Sequence, residues 1–75
     1  MFSTKAEAVQ FVNDNAVKVT VEVGGVSQTF FVGPKKDQGD GKSAGWYAGE
    51  KVTIATGDRL QIGLNITVIK SKALS

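Results

Sequence analysis

The stretch Arg59-Leu60-Gln61-Ile62-Gly63-Leu64-Asn65-Ile66-Thr67-Val68-Ile69-Lys70 decides how this chain folds. Leu60, Ile62, Leu64, Ile66 and Val68 occupy every second position, and Arg59, Gln61, Gly63, Asn65 and Thr67 fill the places between them. A strand sends successive side chains to opposite faces, so this run has one apolar and one polar face. A helix would scatter the same residues around its circumference. Gly63 lies midway on the polar side, where a bend, a bulge or a break into two shorter strands is expected.

A second alternating run, Val17, Val19, Val21 and Val23 against Lys18, Thr20 and Glu22, precedes Gly24-Gly25 and the segment Val-Ser-Gln-Thr-Phe-Phe-Val. Two valine-rich runs flanking Gly-Gly predict a hairpin with a two-residue turn of positive φ. That turn pairs Val23 with Val26, Val19 with Phe30 and Val17 with Val32. Phe31 then shares a face with Lys18, Thr20, Glu22, Ser27 and Thr29, where an aromatic is out of place. Residues 51–56 alternate again, with Val52 and Ile54 inward; Gly49-Glu50 reads as the turn into this strand and residues 56–59 as the turn out of it.

The chain also carries a helix signal. Thr4-Lys5-Ala6-Glu7 has capping-box spacing, and Ala8, Phe11 and Val12 fall on one face behind it, so a helix is expected over residues 4–13. Asn15 is placed to end it in a left-handed conformation. A helix this short must dock to persist, and only the sheet is available to receive it. Residues 71–75 are expected to fray. The architecture implied is α+β: a short N-terminal helix on a small antiparallel sheet of four to five strands, open or curled into a barrel, in one domain over residues 1–75.

Residues 33–45, Gly-Pro-Lys-Lys-Asp-Gln-Gly-Asp-Gly-Lys-Ser-Ala-Gly, have almost no apolar side chain. Such a segment buries too little to offset its ordering entropy and reads as a mobile Gly/Lys-rich surface loop. Loops of this length in small domains are functional or disordered. Trp46 and Tyr47 close it.

Composition narrows the function classes. A chain of 75 residues buries a modest fraction of its surface and often needs a supplement. With no cysteine and no histidine, disulfides are excluded and neither a zinc site nor a cofactor is expected, which leaves packing quality or self-association. The residues Met-Phe-Ser-Thr-Lys-Ala-Glu-Ala lack the apolar core of a signal peptide, and no apolar run reaches membrane-spanning length. A cytoplasmic protein without a membrane partner is the expectation. Nine basic residues against seven acidic ones give +2, but only Arg59 is an arginine, so the charge permits an anionic partner without arguing for one.

Short motifs add little. Gly41-Lys42-Ser43 matches the end of a phosphate-binding P-loop, but Lys36 stands where the first glycine belongs and no helix pattern follows. Asp37 and Asp40 sit among glycines as turn formers do, without the distal glutamate of a calcium loop. Asn65-Ile66-Thr67 has glycosylation spacing without a secretion signal. Catalysis lacks a histidine or cysteine, and Asp37, Asp40, Glu50 and Asp58 form no recognisable pair, so an enzyme is not expected.

What remains is a binding surface. Lys35, Lys36 and Lys42 could combine with Trp46, Tyr47 and Phe31 as a cationic and aromatic patch. The chain therefore reads as a small non-catalytic interaction protein. It would bind another protein or itself, through the aromatic patch or an open strand edge. The alternative is a single-stranded nucleic-acid-binding module using the Lys-rich loop with Trp46 and Tyr47.

Overall fold

Helix α1 spans Lys5–Asp14 in the computed structural model, which describes all residues from Met1 to Ser75. The capping box sets its start: the Glu7 N–H donates to Thr4 Oγ1 (3.2 Å), and Glu7 Oε1 accepts from the Thr4 N–H (3.1 Å). Its end differs from expectation. Asn15 is extended (φ −128°) rather than left-handed, and its Nδ2 donates to the Phe11 carbonyl at 2.8 Å. A side-chain amide that reaches an orphan carbonyl makes the left-handed turn unnecessary. Ala8 and Val12 are buried, whereas Phe11 stays exposed, with its ring 5.3 Å from Phe2 and edge-on to Trp46 at 6.3 Å.

Strands β1 (Val17–Val23) and β2 (Val26–Val32) form the first hairpin in the predicted register, with Val17 opposite Val32, Val19 opposite Phe30 and Val23 opposite Val26. Gly24 and Gly25 take φ of 56° and 78°, the sign that a primed two-residue turn demands. Phe30 and Val32 are buried, and the Thr20 and Thr29 hydroxyls meet at 3.0 Å on the other face.

The second hairpin corrects the sequence reading twice. Strand β3 runs over Gly45–Thr53, so Trp46 and Tyr47 belong to a strand and Gly49-Glu50 is no turn. Strand β4, Arg59–Thr67, pairs with β3 residue for residue, from Gly45 opposite Thr67 to Thr53 opposite Arg59. Gly63 neither bulges nor breaks β4, because it faces Gly49 in an unbroken ladder and no residue is left over on either side. Glycine is required at the start of β3, where a Cβ on Gly45 would run into the Ile66 carbonyl oxygen.

The four strands do not form one sheet, and there is no barrel: they make two two-stranded antiparallel sheets, β1-β2 and β3-β4. The hairpins touch through their backbones only at their ends. At one end Pro34 bridges Trp46, with the Lys35 N–H donating to Gly45 (2.9 Å) and the Tyr47 N–H donating to Gly33 (3.1 Å). At the other end the Ala55 N–H donates to Gly24 (3.1 Å). The strands between these ties bring Phe30, Val32, Trp46 and Val52, all buried.

The core gathers beneath α1 from Ala8, Val12, Val32, Ala44 and Trp46, with Leu64, Ile66, Val68 and Leu74 packed against it. The last residues are tied down rather than frayed. Ser71–Ala73 form a 3-10 turn, Ser71 is fully buried, and the Lys5 N–H donates to Ser75 O at 2.8 Å. The molecule is long and thin, 47 × 19 × 16 Å. No helix is long and apolar enough to cross a membrane.

Candidate functional site

The cationic and aromatic residues singled out in the sequence are separated by the fold. Trp46 is 6% exposed, and its Nε1 donates to the Asn15 carbonyl at 2.8 Å, which pins the end of α1 to β3. It shares the inward parity of Val52, while Tyr47 (57% exposed) and Phe31 (73% exposed) point outward from β3 and β2. Of the three aromatics, two are therefore exposed and Trp46 is not.

The lysines divide in the same way. Lys35 turns its ammonium onto Ser43, donating to the hydroxyl (2.9 Å) and the carbonyl (3.2 Å). Lys36 and Lys42 are exposed. Lys35, Lys36 and Tyr47 line one open depression of about 410 Å³ with Pro34 and Asp37, and Lys42 and Phe31 lie outside it. Asp37 places a carboxylate in the same wall, which weakens the depression as an anion site.

One cation that sequence reasoning passed over organises this region. Lys5, on the first turn of α1, is buried (7% exposed) and donates its ammonium to the Gly39 carbonyl (3.2 Å) and the Lys42 carbonyl. Gln38 Oε1 accepts from the Gly45 N–H (3.1 Å), and the Lys42 N–H closes a turn onto Gly39 (3.0 Å). The Gly/Lys-rich segment is thus strapped to the helix and to β3 by named bonds. Composition gave no hint of this, since a lysine defaults to solvent.

A larger depression, about 630 Å³, is walled by Met1, Phe2, Val68, Ile69, Ala73 and Leu74, with Lys70 as its single charged side chain. It is apolar and lacks the converging polar groups that orient a substrate. No group of three or more His, Cys, Asp or Glu side chains gathers where it could hold a metal ion.

The most distinctive surface is a backbone one. β4 has a single neighbour, β3. The Val68 N–H donates to Ala44 and the Ile54 N–H to Asp58, both at 2.9 Å, and both bonds fit the register of the ladder. Antiparallel pairing alternates, so the even-numbered residues of β4 direct their N–H and C=O groups at β3. Arg59, Gln61, Gly63, Asn65 and Thr67 therefore direct theirs outward, along an edge that no strand covers.

That edge carries a single charge, Arg59 at its start, and few of the usual guards beyond it. Between Leu60 and Thr67 there is no proline, no lysine and no carboxylate, and the ladder has no bulge. The β1 edge, by contrast, carries Lys18 and Glu22. The inner edges of β2 and β3 face each other and are closed at both ends by the ties described above. On the apolar face of β4, Leu60, Ile62, Leu64 and Ile66 are each only half-buried.

The chain matches no protein-family model, and the searches of curated proteins and of solved structures find no match to it.

Proposed function

We propose that this chain is a small non-catalytic interaction domain that receives another polypeptide strand along the open edge of β4. The observation that carries this reading is the run of outward backbone groups from Arg59 to Thr67, unguarded beyond Arg59 itself, next to a row of half-buried aliphatic side chains. Strand addition of this kind draws affinity from main-chain hydrogen bonds and specificity from alternate side chains. The strand receives its partner as an already ordered template, so only the incoming segment loses conformational freedom. The exposed rings of Phe31 and Tyr47 are secondary to this surface, since burial of Trp46 removes the anchor that a packed aromatic hot spot needs. A cysteine-free chain requires no oxidising compartment, and we place its work in the cytoplasm.

The test is an amide-shift titration of isotopically labelled protein. One series adds short peptides of alternating aliphatic and polar residues, and a parallel series adds a single-stranded oligonucleotide. The reading expects peptides to move the amides of Gln61, Gly63 and Asn65 with little salt dependence. Shifts at Lys36, Lys42 and Tyr47 caused by the oligonucleotide alone, fading steeply as salt rises, would transfer the case to nucleic acid.

A further inference from the structure

We infer that the strand β4 receives is β4 of a second copy, antiparallel to the first and related to it by a two-fold axis through Gly63. This rests on the strand-addition reading above and names its partner. The argument begins with register. Only odd-numbered residues of β4 present free backbone groups, so in a symmetric pair odd residues must meet odd residues. Centring the axis on Gly63 sets Arg59 opposite Thr67 of the other copy, Gln61 opposite Asn65, and Gly63 opposite itself. All five outward residues of each strand are then paired. A slip by two residues in either direction leaves one residue of each strand without a partner.

Side-chain chemistry agrees with that register. On the polar face the pairs are Arg59 with Thr67 and Gln61 with Asn65, so no like charges meet and the amides can bond each other. On the apolar face Leu60 lies beside Ile66 and Ile62 beside Leu64, so the two half-buried rows merge into one stripe. A two-fold axis normal to the sheet keeps both apolar faces on one side. The Gly63 Cα has open space beyond it: a Cβ built there meets nothing within 4 Å. A side chain introduced there therefore disturbs no contact within the monomer.

The molecule as a whole exposes enough surface for such a contact. A monomer of 7.9 kDa is expected to expose about 4,400 Å². This chain exposes 5163 Å², an excess of roughly 750 Å², close to the ~800 Å² that each partner of a standard interface covers. Its radius of gyration, 14.9 Å, also exceeds the ~11 Å of a chain of this length, as an elongated molecule with surface to spare requires. The product is a continuous four-stranded sheet, β3-β4-β4-β3.

Sedimentation analysis from micromolar to millimolar protein tests the inference, on wild type and on Gly63→Lys and Gly63→Thr. Gly63→Lys sets two ammonium groups face to face at the axis and installs the usual edge guard, while Gly63→Thr places two β-branched hydroxyls there. The expected result is a dimer in wild type and Gly63→Thr, with self-association weakened about fivefold in Gly63→Lys. Asn65→Lys, one pair away from the axis, is the second variant and should weaken the dimer in the same direction. Trp46 emission reports that each variant is folded. A wild type that stays monomeric to millimolar concentration overturns the inference; if peptides still move the β4 edge amides, the strand-addition reading survives alone. A dimer indifferent to both lysine variants also overturns it, because the copies then meet elsewhere. A monomer whose edge amides ignore every peptide defeats both.

Discussion

Replacing Ser71 with alanine separates a docked C-terminal turn from a frayed one. Ser71 is fully buried; its hydroxyl accepts from the Ala44 N–H at 2.8 Å and donates to the Val68 carbonyl at 2.7 Å. Alanine removes both bonds. The Val68 carbonyl keeps the Ser71 N–H as a donor at 3.1 Å, so its loss is small. The Ala44 N–H keeps nothing. Ala44 is itself fully buried, and a buried donor left without a partner costs about 1–3 kcal/mol. Taking ~2 kcal/mol against the ~4–11 kcal/mol that holds a domain of this size together, the variant should still fold, with a much reduced margin. At about 2.1 cal/mol/K per residue, that loss lowers the melting temperature by roughly 13 °C. Urea and thermal unfolding followed by Trp46 emission measure it, with exposed Lys72→Ala in the same turn as the control. A Ser71→Ala protein within about 0.5 kcal/mol of wild type would refute the docked turn and the packing of Ala44 beneath it.

Three other substitutions have definite outcomes. Trp46→Phe deletes the indole donor to Asn15 and part of a buried ring, and should cost about 2 kcal/mol by circular dichroism melts. Lys5→Met keeps the buried stem but releases the carbonyls of Gly39 and Lys42; we expect a loss of ~1–2 kcal/mol and faster hydrogen exchange at the Lys42 amide, with exchange in β1 unchanged. Gly24→Ala combines a left-handed φ of 56° with a Cβ 2.8 Å from Ile54 Cβ, so it should destabilise by more than ~1 kcal/mol and loosen the tie between the hairpin tips, read as faster exchange at Ala55.

The first hairpin was legible to the residue because Gly24-Gly25 admits one turn class and that class fixes the register. The helix start was legible because a capping box is a local signal. β3 was misread since Gly45, Gly49 and the residues before them have the composition of a loop; counting the ladder back from the turn at Gly57 would have set Gly49 against Gly63 and Gly45 against Thr67. The same count gives Trp46 the parity of Val52 and so its burial. The split into two sheets was not legible, because alternation shows which face of a strand is apolar and not whether neighbours join edge to edge or pack face to face. Lys5 and Ser71 were invisible for a related reason. Each is an ordinary surface residue by type, and only long-range contacts with Gly39, Lys42 and Ala44 bury it. For the candidate site, the sequence pointed to Phe31, Tyr47 and the lysines; the absence of guards in β4 beyond Arg59 was present in it but acquires meaning only once β4 is known to be a terminal strand.

Amide hydrogen exchange along β4 tests the central claim most directly. In dilute solution Leu60, Ile62, Leu64 and Ile66 should exchange slowly and Gln61, Gly63, Asn65 and Thr67 quickly, and raising the protein concentration should slow the second set towards the first. Uniform exchange along the strand, or fast edge amides that stay fast at every concentration and with every added peptide, would contradict it.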